Sequence, residues 1–319
     1  MNAVGMLCMD DWKLSTTVAL IIFNRPDTTA EVFAKIAEAK PPKLLVVADG
    51  HRPDRPGEIQ KCEAARAIID QVSWDCEVKT NYSERNMGCK LRVSSGISWI
   101  FEEVEEAIIL EDDCVPHPSF FRYCEELLQR YRHDERIGMI SGDNFQFGAT
   151  RNDYSYYFSR YNHIWGWASW RRAWRYYDRD LTDWPAEFCR GSLRSRFESP
   201  VEYRMWSKAF NDVSKGRIDT WDYQWTCVLW LQSMLTVLPS INLVSNIGFG
   251  PEATHTVGIS SAANLPAEKM EFPLRHPHNV LRDVEADRNT YKKMFHQNIV
   301  KRILASIYNF GKAIWARYF

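Results

Sequence analysis

Closely spaced cysteines and long hydrophobic runs are both missing from this sequence of 319 residues. It contains eight cysteines, but none forms a Cys-x-x-Cys pair and no cysteine–histidine cluster has zinc spacing. No apolar run approaches the roughly 20 residues of a membrane span. The N-terminus lacks the basic and apolar regions of a signal peptide. Free thiols without an export signal predict a cytoplasmic protein.

An excess of either charge is also missing, because 40 basic and 41 acidic residues leave a net charge of −1. This balance favours no nucleic-acid partner. The C-terminus is different, since residues 288–319 contain seven basic residues and no acidic one. Apolar residues recur at helical spacing there, which predicts a basic amphipathic tail, 281–319, behind a main domain of 12–280. The tail either contacts an anionic membrane peripherally, at its inner face, or packs on the domain or a second subunit.

Tryptophan is abundant, and nine of the 13 tryptophans lie between Trp165 and Trp230. Buried aromatic rings usually belong to the core, which is one interpretation of this cluster. The other is a stacking platform for the apolar faces of sugars.

Strand and helix signals alternate through the first half of the chain. Continuous apolar runs separated by helical spacing indicate βαβ units. They predict an α/β fold with a mixed, mainly parallel sheet flanked by helices. In the second half, Ser199 and Glu202 form a capping-box pattern, and 221–234 is predicted to be a helix. The Pro-punctuated segment 258–279 is predicted to be a mobile lid.

Three polar motifs follow the predicted strands: Asn24-Arg25, Asp49-Gly50 and Glu111-Asp112-Asp113. Ligands bind beyond the carboxyl ends of parallel strands, so these motifs should converge on one crevice. The acidic triplet could hold a divalent cation against a diphosphate, or it could be a solvated turn. Arg25 could stack on a base or pair with a phosphate, and Asp49 could accept a nucleobase N–H or cap a turn.

Two further polar residues are candidates for chemistry in the second half. His255, in a bent Gly- and Pro-containing loop, either ligates a metal, contacts a phosphate or is a hydrogen-bonded loop residue. Asp222 begins an apolar predicted helix and is either a general base or a helix N-cap, with Asp219 as the alternative base.

Four separated segments resemble glycosyltransferases of the GT-A fold, especially N-acetylglucosaminyltransferase I. They are Ile22-Phe23-Asn24-Arg25, Ala48-Asp49-Gly50-His51, Trp221-Asp222, and Ile109-Leu110-Glu111-Asp112-Asp113 with Pro118-Ser119-Phe120-Phe121. The tract Ile164-Trp165-Gly166-Trp167 is similar too. The resemblance extends from about residue 18 to 255.

The resemblance implies a GT-A (Rossmann-like) domain that uses a UDP-sugar donor, Mn²⁺ or Mg²⁺, and an inverting mechanism. Arg25 and Asp49 would bind the uridine, Asp113 would ligate the metal, and Glu111 and Asp112 would hold the ribose and a metal-bound water. His255 is the second predicted metal ligand. An Asp near Trp221 would be the base, and Asp222 is the predicted one. The acceptor, a glycan or glycolipid, would lie on Trp165, Trp167 and Trp221.

The sequence departs from that family where Tyr223 follows Asp222 in place of a second acid. It also has no N-terminal membrane anchor, which favours a bacterial relative acting in surface-polysaccharide synthesis. Two other classes stay open: a sugar nucleotidyltransferase, and a non-catalytic Trp-rich carbohydrate-binding protein. The first would require a glycine-rich phosphate loop, which Asn24-Arg25-Pro26 is not. The second would not require the acidic triplet.

Overall fold

The computed structural model describes residues 12–249 and 264–296. Its centre is an eight-stranded sheet with the order β3-β2-β1-β4-β8-β6-β9-β7. The strands are β1 Val18–Ile22, β2 Lys43–Ala48, β3 Glu77–Tyr82, β4 Glu106–Glu111, β6 Ile137–Ser141, β7 Tyr156–Ser159, β8 Trp167–Trp170 and β9 Leu235–Pro239. A separate antiparallel ribbon pairs β5 Cys114–Pro116 with β10 Val244–Asn246.

The sheet is mixed and mainly parallel, as predicted. Strands β3, β2, β1 and β4 are parallel neighbours, and β6 is parallel to β9. Only β8 and β7 run in the opposite direction. The helices are α1 Pro26–Ala39, α2 Glu58–Ala67, α3 Cys89–Glu103, α4 Ser119–Tyr131, α5 Arg171–Trp174, α6 Trp184–Arg190, α7 Pro200–Ser214, α8 Asp222–Leu231 and α9 Val284–Thr290. Short 3₁₀ turns cover Ile68–Gln71 and Arg194–Arg196, and a π-helical turn covers Tyr291–His296.

Each face of the sheet buries its own hydrophobic core. Alternate residues of β1 divide between them: Val18, Leu20 and Ile22 join the core under α1 and α4. Ala19 and Ile21 join the core under α3, α7 and α8. Side chains alternate across a strand, so burial on both faces explains why this strand is apolar at every position.

The tryptophan cluster is mostly core. Eight of the nine tryptophans between 165 and 230 are buried, and Trp165 alone of the nine is partly exposed. Trp167 and Trp170 lie on β8 and point into opposite cores. Strand β8 was not predicted, because a run of tryptophans has no period that separates a strand from a helix.

Two predictions in the second half need correction. The helix predicted over 221–234 ends at Leu231, because Ser233 turns left-handed with φ 63° and Met234 donates its N–H back to Leu229. The capping box is half formed: the Ser199 hydroxyl accepts from the Glu202 N–H. The Glu202 carboxylate instead pairs with the buried Arg160, so it stabilises the core rather than the helix end.

The predicted lid and tail lie partly outside the described residues. In the described part of the lid, 264–279, Met270 and Leu274 are buried and the Met270 N–H donates to the Ser119 hydroxyl. That part therefore packs on the domain here, and its ordering over a donor stays a prediction. The start of the tail is also anchored, since Asp287 is fully buried and accepts the hydroxyl of Ser159 on β7. The predicted membrane-facing stripe, beyond residue 297, lies outside the described residues. No helix in the described ranges has the length and apolarity of a membrane span.

Candidate functional site

The three polar motifs meet at one edge of the sheet. Strand β1 lies between β2 and β4 in parallel register, with Ile22 opposite Ala48 and Ile21 opposite Glu111. All three strands therefore end at the same level, and the residues that follow them share one crevice. This placement agrees with the convergence predicted from the sequence.

A salt bridge joins the first motif to the acidic triplet. Arg25 Nη1 lies 2.5 Å from Asp113 Oδ2 and 3.7 Å from Asp112 Oδ1. Asp112 Oδ2 accepts the Phe23 N–H at 3.0 Å, which ties the end of β1 to the triplet. Arg25 was predicted to meet a base or a phosphate, and here it meets carboxylates instead. The predicted ribose ligand Asp112 is already buried and bonded to the protein.

The triplet is electrostatically strained. Burial, and then the neighbouring charges of Asp113, Asp112 and Asp222, raise the pKa of Glu111 well above its ordinary value, although Arg25 opposes them. Burial and the charge of Asp113 raise the pKa of Asp112 to about 7. One guanidinium is thus shared by several crowded carboxylates, which favours the entry of further positive charge.

Asp222 is the acidic residue of α8 whose charge acts on the triplet. Its charge contributes to the raised pKa of Glu111, so the two carboxylates lie within electrostatic reach. Asp222 is the first residue of α8 and the N-cap position belongs to Trp221, which removes the interpretation of Asp222 as the N-cap. Its carboxylate accepts the Thr220 hydroxyl and stays partly exposed. The alternative base, Asp219, is exposed at the rim, where its Oδ2 lies 3.6 Å from the Cβ position of Gly88.

Asp49 is a loop organiser in this structure. Its carboxylate accepts the N–H groups of Gly50, Met87 and Gly88 and the side-chain amide of Asn86, all between 2.9 and 3.2 Å. These donors occupy both oxygens, so no acceptor site is left for the predicted nucleobase N–H. The sequence did not predict this role, because Met87 lies 38 residues beyond Asp49 and no local pattern links the two.

Gly248 and Asn246 complete the surroundings of Asp113, and sequence reasoning missed both. The Ile247 N–H donates to the Asp113 backbone carbonyl, which extends the β5–β10 ribbon past the acidic triplet. Gly248 then lies beside the carboxylate, since a Cβ there would be 1.9 Å from Asp113 Oδ2. The local signal was Asn246-Ile247-Gly248 before the bent loop of His255. His255 lies outside the described residues, and its metal role stays a prediction.

The residues around Asp113 fit one kind of metal site. Within 12–249 and 264–296, no three His, Cys, Asp or Glu side chains converge as a ligand set. Asp113 nevertheless presents a partly exposed carboxylate in a space that only glycine leaves open. Divalent cations in phosphate-transfer sites are often held by one or two carboxylates and completed by phosphate and water. Asp113 fits a cation bound in that way.

Of the three predicted acceptor residues, only Trp165 lies near Gly248 with a partly exposed side chain. Its ring contacts Phe249, 5.4 Å away between centroids, next to Gly248. Asp143, a buried residue that sequence reasoning missed, accepts the Trp165 N–H at 3.0 Å and fixes this position. Trp167 and Trp221 are buried and stack on each other at 5.8 Å. Neither offers a free ring face to a sugar here.

Comparisons with known proteins add little to this picture. No protein-family model and no curated protein sequence matches the chain. A mannosyltransferase from Pyrobaculum calidifontis, solved with GDP-Man and Mn²⁺, is similar with a TM-score of 0.37 and 14% identity over 51% of this chain and 46% of that one. Mouse xyloside xylosyltransferase 1 in its apo form has a TM-score of 0.35 and 10% identity over 68% and 83% of the two chains.

A UDP-glucose pyrophosphorylase complexed with UDP-glucose is similar with a TM-score of 0.26 and 12% identity, over 45% of this chain and 62% of that one. The mannosyltransferase match spans less than half of that protein. The ligands and reactions of these proteins are therefore not assigned to this chain.

Proposed function

We propose that this protein is a metal-dependent, inverting glycosyltransferase that moves a sugar from a UDP-sugar to a hydroxyl of a glycan or glycolipid. The observation that carries the proposal is the crevice beyond β1, β2 and β4, where the acidic triplet lies within electrostatic reach of Asp222 on α8. The two acidic groups come from segments 109 residues apart, as residue numbers 222 and 113 give. A transfer reaction requires this division between a group that holds the leaving diphosphate and a group that activates the acceptor.

Asp222 is the proposed general base. An inverting transfer requires one carboxylate that removes the acceptor proton while the new bond to the sugar forms. Thr220 donates to this carboxylate and orients it, while its partial exposure leaves room for an acceptor hydroxyl. Trp165, at the rim beside Phe249, is the proposed stacking surface for the acceptor.

Asp113 is the proposed ligand of Mn²⁺ or Mg²⁺, with His255 as the second candidate. When bound, the cation would neutralise the diphosphate as a leaving group. Glu111 lies within electrostatic reach of both Asp113 and Asp222 and is proposed to contact the donor. Arg25, which contacts Asp113, is the proposed cationic side chain for a phosphate, whereas Asp49 would act on the donor only through the Asn86–Gly88 loop that it holds.

A cytoplasmic role in bacterial surface-polysaccharide synthesis is the proposed context, with the tail of 281–319 on the anionic inner face of the membrane. Liposome flotation of the full chain and of a variant with the basic residues beyond 297 neutralised tests this part. Equal flotation of the two proteins would contradict it.

Release of UDP from a panel of UDP-sugars, in the presence of Mn²⁺, tests the activity. We expect slow donor hydrolysis by the wild type and its loss after EDTA or in Asp113→Asn. Release of pyrophosphate from a sugar phosphate and UTP would instead indicate a nucleotidyltransferase. Glycan binding without release of either product would indicate a carbohydrate-binding protein.

A further inference from the structure

The oxygen that the proposed metal needs is already held by an arginine. Arg25 Nη1 lies 2.5 Å from Asp113 Oδ2, and both side chains are shielded, with 21% and 16% of their surfaces exposed. The other oxygen, Oδ1, is near the Cys114 thiol at 3.4 Å and the Asn246 amide at 3.5 Å. In this state Asp113 therefore has no fully open oxygen.

We infer that Arg25 is an internal counter-cation, which a divalent metal displaces from Asp113 and which then turns to the diphosphate of the donor. This inference rests on the proposed function and adds a mode of regulation to the same site. It predicts that metal and nucleotide bind together, and that each binds poorly alone.

Charge and geometry both support the exchange. A guanidinium and a divalent cation repel each other, so they do not share Asp113 Oδ2 at contact distance. Arg25 immediately precedes α1, where Pro26 is the first helical residue, so the backbone of Arg25 is restricted and an exchange of partners involves its side-chain torsions. Once released from Asp113, the Arg25 guanidinium would lie next to the proposed diphosphate site. Its planar group of N–H donors suits phosphate oxygens.

The pairing with Arg25 also explains how the site tolerates three consecutive acids. Burial lowers the pKa of Arg25, but the charges of Asp112 and Asp113 outweigh it and leave that pKa above its ordinary value. The guanidinium is thus charged at every relevant pH and replaces the metal as a partner of the triplet. A cation without a diphosphate would have to expel this arginine with no new partner for it.

Direct Mn²⁺ binding, followed by electron paramagnetic resonance of free Mn²⁺, tests the inference without any measurement of activity. We expect weak Mn²⁺ binding by the wild type alone, and an increase of about tenfold or more on addition of UDP, the usual scale of coupling between two ligands. In Arg25→Gln, Mn²⁺ alone should bind about tenfold more tightly than to the wild type, and UDP should add little.

Two variants make the measurement specific. Arg52→Gln is the matched control, because Arg52 follows β2 at the same edge of the sheet but pairs with Glu58. It should bind Mn²⁺ as the wild type does. The double variant Arg25→Gln, Asp113→Asn should lose the gained affinity, and circular dichroism should confirm that each variant is folded.

Unchanged or weaker Mn²⁺ binding in folded Arg25→Gln would overturn the inference, and so would a gain that survives Asp113→Asn. Failure of the proposed function is recognised separately. If Arg25→Gln gains Mn²⁺ affinity but no variant binds UDP, the counter-cation role stands and the UDP-sugar donor is wrong.

Discussion

Replacing Gly248 by alanine should disable the site with little effect on the fold. A Cβ at this position would lie 1.9 Å from Asp113 Oδ2, 2.7 Å from its Cγ and 2.9 Å from Arg25 Nη1. The Asp113 carboxylate must retreat by roughly 1.5 Å to restore an ordinary van der Waals separation. Gly248 has no left-handed backbone, so the substitution acts through this collision and not through backbone strain.

A displacement of about 1 Å at a catalytic group can cost about 100-fold in rate. We therefore expect Gly248→Ala to lower UDP release by about 100-fold and to weaken Mn²⁺ and UDP binding together. The melting temperature should change little, because the moved carboxylate is partly exposed and not part of either core.

Gly191→Ala is the matched control. A Cβ there meets no atom within 4 Å, but the backbone is left-handed with φ 70°, so this variant is strained without a collision. It should lose about 1 kcal/mol of stability and keep its activity. Near-normal UDP release by Gly248→Ala would refute the assignment of Asp113 to the donor site, because its carboxylate cannot remain in place beside the new methyl group.

Three further predictions concern other residues. Asp222→Asn should keep UDP binding but lower turnover by about 10²–10⁴-fold; steady-state kinetics beside Asp219→Asn would contradict this if only the Asp219 variant were inactive. Asp49→Asn should lower the free energy of unfolding in urea by about 1–3 kcal/mol, since an amide cannot accept from all the donors it faces, and unchanged stability would contradict its loop-organising role. Burial lowers the pKa of His163 to about 3. Unfolding therefore takes up a proton between that pH and about 6.5, and stability falls as the solution is acidified through this range. At pH 5 the loss from this ring is about 2 kcal/mol relative to pH 7.5. The difference in unfolding free energy between the two pH values should shrink by that amount in His163→Leu, and an unchanged difference would contradict the buried neutral ring.

The first half of the fold was predictable because its signals are local. Val18–Ile22 and the later strand β2 are apolar at nearly every position, and polar turns separate them from helices with clear spacing. The second half was harder, since β8 consists of Trp167, Ala168, Ser169 and Trp170, which could equally continue a helix. Only pairing with β4 and β6 makes it a strand.

The sequence by itself determined the α/β class, the strand ends and the acids that follow them, because hydrophobic period and turn residues act over a few positions. The tertiary structure alone decided what each side chain meets. Arg25 pairs with an aspartate 88 residues away, and Asp49 is satisfied by a loop 38 residues away. Such partners depend on which chain segments come to the same edge of the sheet. Tertiary packing brings these segments together, and no local sequence pattern predicts which segments will meet.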